Sequence, residues 1–125
     1  GVVLKPEALQ LVLSEALSPT IFSSLLMTTS GELVSSAGER ASEDLVAAIM
    51  GSVWKTYERH EQGEALQTIF IHCDEGVIGC SQVLSKVIVC LVANRDSELG
   101  MLKAKLDALR VHLAGPLTPV FQTSA

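Results

Sequence analysis

The residues "VIVCLVA", from Val87 to Ala93, form an unbroken apolar run rich in β-branched side chains. Successive side chains of a β-strand point to opposite faces of a sheet, so a strand of this composition is apolar on both faces. Such a strand is typical of the centre of a sheet that is covered on both sides. The run therefore predicts a sheet between two layers of helices.

The flanking segments supply the helices and the other strands. Residues 6–17 begin with Pro6 and place leucines at helical spacing, which predicts a first helix. The other predicted elements are strands over 20–29 and 33–38, a helix over 43–60, strands over 65–73, 77–84 and 87–93, and a helix over 97–115. Gly115 and Pro116 are expected to end the last helix.

This order predicts an α/β fold, a three-layer α/β/α sandwich. Its five-stranded, largely antiparallel sheet and three helices follow the order α-β-β-α-β-β-β-α. A chain of 125 residues is near the usual size of one domain. We therefore expect a single domain over residues 1–125, with an ordered core over about 5–118 and a frayed C-terminal tail.

The charge of the chain restricts its partners. Fourteen acidic and nine basic residues give a formal charge of −5, which disfavours binding to the phosphates of nucleic acids. No apolar run approaches the roughly 20 residues that a membrane-spanning helix needs, and we find no signal peptide or lipidation motif. Any membrane attachment is therefore expected to come from a partner, without direct membrane insertion.

The stretch "FIHCDEGVIGC", residues 70–80, collects side chains that could bind a metal or act as a nucleophile. In a strand His72 and Cys73 would lie on opposite faces of the sheet and could not share a metal or form a nucleophile–base pair. A two-residue turn at Glu75 and Gly76, with Gly76 at positive φ, explains the acidic residues. This turn would place Cys73 opposite Ile78 and Cys80 opposite Ile71.

The cysteines are interpreted as structural. The chain has an odd number of cysteines, Cys73, Cys80 and Cys90, without CxxC spacing and with apolar neighbours. This pattern favours a reduced, intracellular environment. Cys73 and Cys80 are predicted to be small, inert core residues. His60 and His112 are expected to be solvated, and no nucleotide-binding or hydrolase motif is found. The sequence thus predicts no catalytic residue, metal site or cofactor.

The predicted helix over 43–60 is the unusual element. Its apolar side chains cover an arc of about 200°, whereas packing against one neighbour requires about 100°. They are Leu45, Val46, Ile49, Met50, Val53, Trp54 and Tyr57. Beside them Ala48, Gly51 and Ser52 form a patch of small residues that would admit another backbone. The helix is either buried within its own fold or shared between its own sheet and a partner; in the second case Gly51→Leu should block assembly more than it harms the fold.

Several stretches resemble the roadblock family. These are the element order, the helix "AAIMGSVWKTYER", the hairpin "IFIHCDEGVIGC", the strand "VIVCLVA" and the C-terminal stretch "GMLKAKLDALRVHLAGPLTPV". The last of these is most similar to the roadblock subunits of the Ragulator complex, and the resemblance covers nearly the whole chain. It implies a non-catalytic scaffold or adaptor on the cytoplasmic face of late endosomes and lysosomes, which supports TOR and MAPK signalling.

The resemblance also implies the partners and their contact. They are a sister roadblock subunit in a heterodimer, a lipidated subunit that anchors the pair to the membrane, and Rag-type GTPases. In roadblock proteins the central helix and the following strand pair with those of the partner. The implied dimer interface consists of Val46, Ala47, Met50, Gly51, Val53, Trp54, Tyr57, Thr68, Ile69, Phe70, Ile71, His72 and Cys73.

Three alternatives stay open at this point. Another roadblock protein, a dynein light chain or a regulator of a small GTPase, would often act as a homodimer. A small enzyme would use His72 or a cysteine. A free-standing profilin-like binding module would remain monomeric at micromolar concentration.

Overall fold

The computed structural model describes residues 6–39, 43–60, 68–74 and 76–121. Its helices are α1 (Pro6–Ser14), α2 (Glu43–His60) and α3 (Leu99–Phe121). Its strands are β1 (Ile21–Thr28), β2 (Leu33–Gly38), β3 (Thr68–His72), β4 (Val77–Leu84) and β5 (Val87–Ala93). The order is the predicted one, and the fold class is confirmed. The expected fraying of the tail after residue 121 lies outside the described residues.

The five strands form one antiparallel sheet in the order β2-β1-β5-β4-β3. β1 and β2 form a hairpin at one end of the sheet. In the chain α2 follows β2, and β3 then forms the opposite edge of the sheet. β4 pairs with β3, and β5 lies between β4 and β1. β5 lies at the centre, as its composition predicts. Val89 and Leu91 point to one face and Ile88 and Cys90 to the other, and all four are fully buried.

The helices divide between the two faces of the sheet. Leucines of α1 and α3 pack on one face in a cluster that we call the first core; they include Leu9, Leu13, Leu102, Leu106, Leu109, Leu113 and Leu117. α2 packs on the other face in the second core, which includes Leu25, Met27, Val46, Ala47, Met50, Trp54, Ile69, Ile78, Cys80, Ile88 and Cys90. Among the described helices, α2 is the one that packs on this face of the sheet.

The end of α3 differs from the prediction. The helix continues through Gly115 and Pro116 to Phe121 instead of ending at Gly115. A proline inside a helix removes a backbone hydrogen bond and costs about 3 kcal/mol. Leu113 and Leu117 lie one helical turn apart and are both fully buried in the first core. Full burial of one leucine contributes about 2 to 3 kcal/mol, so packing offsets the cost of the proline.

Ser24 on β1 has a fully buried hydroxyl that finds no hydrogen-bond partner among the described residues. We expect Ser24→Ala to raise the free energy of unfolding by about 1 kcal/mol, since alanine has nearly the same shape and no unsatisfied polar atom. Urea denaturation followed by fluorescence measures this change. Trp54 is the single tryptophan and is 1% exposed, so its emission reports unfolding.

Ser81 on β4 provides the matched control. It is equally buried, but its hydroxyl lies 3.1 Å from that of Thr68 in a hydrogen bond. Ser81→Ala should therefore lower the free energy of unfolding by about 1 kcal/mol. Equal losses for Ser24→Ala and Ser81→Ala would mean that the Ser24 hydroxyl is satisfied in solution.

Candidate functional site

The inner side of α2 is used by the chain's own core. Val46, Ala47, Met50 and Trp54 are at most 5% exposed and pack in the second core. These four residues belong to the predicted dimer interface, but the structure places their side chains against the sheet of their own chain. Their role in an interface would be to support it from beneath.

The turn between β1 and β2 packs directly against Gly51 of α2. A Cβ atom at Gly51 would lie 2.8 Å from the Cα of Gly31 in the turn between β1 and β2. Gly31 itself has a φ of 97°, which favours glycine. The backbone that approaches Gly51 therefore belongs to the same chain, whereas a contact of Gly51 with a partner stays a prediction. Ala48 and Ser52, the other members of the patch, are exposed.

The outer side of α2 carries apolar atoms at the surface. Ala48, Ile49, Ser52 and Thr56 are exposed and Val53 is half-buried; we call these five residues the α2 outer strip. Ile49 is 38% exposed, and the hydroxyl of Thr56 donates a 3.0 Å hydrogen bond to the Ser52 carbonyl within the helix. Ile49 was absent from the predicted interface, although it lies in the apolar arc of the helix.

The apolar arc of α2 and its buried arc do not coincide. Viewed down the helix axis at about 100° per residue, the apolar residues occupy an arc that begins at Leu45 and ends at Trp54. The buried residues occupy an arc that begins at Val53 and ends at Gly51. The centres of the two arcs therefore differ by roughly 70°. Ile49 lies in the part of the apolar arc that the chain leaves uncovered. The side chain of Tyr57, another predicted contact, lies outside the described residues.

β3 forms a free edge of the sheet beside this helix. Among the described strands it pairs with β4 alone, so its outer backbone groups are unpaired by any strand. Ile69 and Ile71 point towards the second core, and Phe70 packs against the first core. His72 and Cys73 are exposed at the end of this edge. Ile71 and Val53 both border the second core, which joins the α2 outer strip to the β3 edge.

The hairpin after β3 is closed differently from the prediction. Cys73 and Gly76 exchange backbone hydrogen bonds of 2.8 and 3.3 Å, so Ile71 pairs with Ile78 and Ile69 with Cys80. The predicted pairing of Cys73 with Ile78 is wrong by two residues. Gly76 is not at positive φ either. A side chain there would overlap the carbonyl oxygen of Ala93 on β5, which explains the glycine.

The cysteines also differ from their interpretation. Cys80 is fully buried, as predicted, but it forms a disulfide with Cys90, which lies directly opposite on β5. The prediction that Cys80 is a free thiol is therefore wrong. Cys73 is free but exposed, not part of the core. Cross-strand neighbours have Cβ atoms about 5 Å apart, so strand register alone brings the two paired cysteines together.

Thiol titration tests this pairing. Of the three cysteines of the chain, we expect only Cys73 to react with a thiol reagent in the native protein purified without reductant. Denaturation alone should leave the count at one thiol per chain, since unfolding does not cleave a disulfide. Denaturation with reductant should raise it to three. Three reactive thiols after denaturation without reductant would show that Cys80 and Cys90 are reduced in solution.

The described residues hold no group of three His, Cys, Asp or Glu side chains suited to a metal ion. His72 and His112 are exposed. A hydrogen bond from Lys103, helped by Arg110, lowers the pKa of Asp107 on the surface of α3. This is a surface ion-pair network of the helix. No helix among the described residues is long and apolar enough to cross a membrane.

Known structures share this architecture. The chain is similar to the gliding protein MglB from Thermus thermophilus, with a TM-score of 0.81, 18% identity and coverage of 95% of this chain and 96% of that one. It is also similar to a Roadblock/LC7 domain from Streptomyces avermitilis, with a TM-score of 0.76, 18% identity and coverage of 91% and 98%. This chain has the roadblock fold.

A comparison of sequences supports the same resemblance. The chain is 29% identical over 121 residues to the Ragulator complex protein LAMTOR2 homolog of Caenorhabditis elegans, an alignment that covers 94% of this chain and 96% of the relative. No family model matches the sequence. The predicted resemblance to the roadblock family, and within it to a roadblock subunit of the Ragulator complex, is confirmed.

Proposed function

We propose that this chain is a non-catalytic adaptor subunit that forms a heterodimer with a second roadblock subunit. The observation that carries the proposal is the offset between the apolar and buried arcs of α2, which leaves Ile49 and part of Val53 uncovered. An exposed apolar side chain beside an unpaired strand edge can be covered by a partner chain that pairs with that edge. The relative named as a Ragulator complex protein supports an assembly of this kind.

The contact combines the α2 outer strip with the edge of β3. The α2 outer strip supplies apolar contacts through Ile49 and Val53, and β3 supplies backbone hydrogen bonds through residues 68–73. An unpaired edge strand can pair with the corresponding strand of a second chain and extend the sheet. Within the predicted interface, we propose Val53 and Ile71 as direct contacts, and Met50 and Trp54 as residues that hold the helix in place from the second core.

The wider assembly follows from the resemblance to the Ragulator subunit. We propose that a lipidated partner anchors the heterodimer to the cytoplasmic face of late endosomes and lysosomes. There the assembly would dock Rag-type GTPases and support TOR complex activation and MAPK signalling. This chain would contribute by presenting a surface that binds one GTPase conformation better than another, because only differential binding shifts such an equilibrium.

Affinity purification from native cell extract tests this assembly. Mass spectrometry of the bound proteins should identify a second roadblock protein, a lipidated subunit and Rag-type GTPases. Light scattering of the purified chain alone measures whether it self-associates. A stable homodimer that recovers dynein or other partners would retain the fold but exclude the Ragulator-type assembly in favour of another roadblock protein.

A further inference from the structure

The disulfide between Cys80 and Cys90 lies in a row of side chains that crosses the sheet. Cys90 on β5 faces Cys80 on β4, with Cα atoms 4.2 Å apart, and Cys80 in turn pairs with Ile69 on the edge strand β3. On its other side Cys90 pairs with Leu25 on β1. A short Cα separation is typical of the non-hydrogen-bonded pairs of an antiparallel sheet, whose side chains lie closest together. The row therefore connects the two sulfur atoms to the edge strand of the proposed heterodimer contact.

Both sulfur atoms lie on the face of the sheet that α2 covers. Cys80 and Cys90 are fully buried, and they share the second core with Met50 and Trp54 of α2, which are at most 1% exposed. Cleavage of a disulfide by a thiol requires a thiolate to reach and attack one of the sulfur atoms. A reductant therefore reaches this disulfide only when α2 moves away from the sheet.

Cleavage of the disulfide also changes the space that the row needs. Bonded sulfur atoms lie about 2 Å apart, whereas non-bonded heavy atoms prefer separations of about 3.5 to 4 Å. At Leu25 the row is held in place, because this residue is fully buried and β1 lies between β2 and β5. At Ile69 the row ends on a strand that pairs with β4 alone among the described strands. The extra space is therefore taken at the β3 edge and beneath α2.

We propose that Cys80 and Cys90 form a reversible disulfide that controls how tightly this chain binds its roadblock partner. The disulfide form holds β3 and α2 in place for the partner, and the dithiol form binds the partner more weakly. This inference rests on the proposed heterodimer and adds its regulation. Because binding and redox state are linked, the partner favours the disulfide by the same factor by which the disulfide favours the partner.

The chemical step is a two-electron exchange with a small thiol such as glutathione. A thiolate of the reductant attacks one cysteine sulfur to give a mixed disulfide, and the other cysteine leaves as a thiolate that takes up a proton. A second reductant thiolate attacks the reductant sulfur of the mixed disulfide, which frees the first cysteine and releases glutathione disulfide. The chain gains two electrons and two protons, and the reverse reaction with glutathione disulfide forms the bond again.

Titration calorimetry of the oxidised and the reduced chain tests the proposal. The probe is the second roadblock protein recovered by affinity purification, expressed on its own. The oxidised chain is purified without reductant, and the reduced chain is refolded from denaturant with a phosphine reductant; thiol titration should count one and three free thiols per chain. Reduction should raise the Kd for the partner at least about fivefold.

The double variant Cys80→Ala with Cys90→Ala is the matched control. It retains Cys73 but cannot form the core disulfide. Reductant should therefore change its Kd for the partner less than about twofold. The same comparison removes any effect of reductant on the partner's cysteines, and circular dichroism checks that the variant is folded.

The rate of reduction provides an independent measurement. The native oxidised chain is treated with dithiothreitol, and the appearance of the two core thiols is followed with and without the partner. At a partner concentration of about ten times the Kd, only about one chain in eleven is unbound. Since the bound partner holds α2 against the sheet, it should slow reduction about tenfold.

Four results would overturn the proposal. They are equal Kd values for the oxidised and reduced chains, an equal change of Kd in the double alanine variant, a rate of reduction that the partner does not alter, or core thiols that stay reduced in excess glutathione disulfide. None of these results removes partner binding itself, so each leaves the proposed heterodimer intact. A chain that binds no second roadblock protein in either redox state would contradict the heterodimer and the redox control together.

Discussion

The Ile49→Asp variant is expected to lose the roadblock partner while keeping its fold. Ile49 is 38% exposed on the outer strip of α2, so the folded chain tolerates a polar residue there. In the complex the aspartate would be buried without a charge partner, which costs at least about 2 kcal/mol, or roughly 30-fold in Kd. Affinity capture measures the partner recovered, and titration calorimetry with that partner gives the Kd.

The matched control for this variant is Val111→Asp. Val111 is a β-branched residue on the surface of α3, 77% exposed, and lies on the opposite face of the sheet from α2. The Val111→Asp variant should bind the partner with the affinity of the unchanged chain. Equal recovery of the partner by both variants would place the contact elsewhere than on the α2 outer strip, and equal loss by both would indicate a general effect of the added charge.

The strands of the sheet were predictable because their patterns are local. Val87–Ala93 is apolar at every position, and β4 follows the turn residues after Cys73. The observed bounds of β2, α2, β4 and β5 equal those predicted from the sequence. The end of α3 was not predictable in this way. Gly115 and Pro116 are strong local signals for a helix end, but the burial of Leu117 depends on residues from distant parts of the chain.

The candidate site was predictable only in part, for the same reason. The apolar arc of α2 indicated more packing than one neighbour needs, but a helical wheel does not show which part of the arc faces the chain's own sheet. That depends on the position of Gly31, twenty residues earlier in the chain, which covers the side that carries Gly51. The result is that Ile49 lies at the surface and Met50 in the core, although both belong to the same arc.

The Gly51→Leu variant is expected to unfold far more easily than the unchanged chain. The first atom of any side chain at Gly51 would lie 2.8 Å from the Cα and 2.9 Å from the nitrogen of Gly31. Both are backbone atoms and cannot rotate away, so either α2 or the turn between β1 and β2 must shift. We expect the free energy of unfolding to fall by about 3 kcal/mol or more, measured by urea denaturation with Trp54 fluorescence.

Gly100→Ala is the control, since it adds a methyl group to a glycine of α3 where nothing lies within 4 Å. Alanine has the higher helix propensity, so this variant should gain up to about 1 kcal/mol. The opposite signs of the two effects would show that the cost at Gly51 comes from the approach of Gly31 and not from replacing a helical glycine. A Gly51→Leu chain that unfolds at the same urea concentration as the unchanged chain, yet fails to bind its partner, would instead return Gly51 to the partner interface.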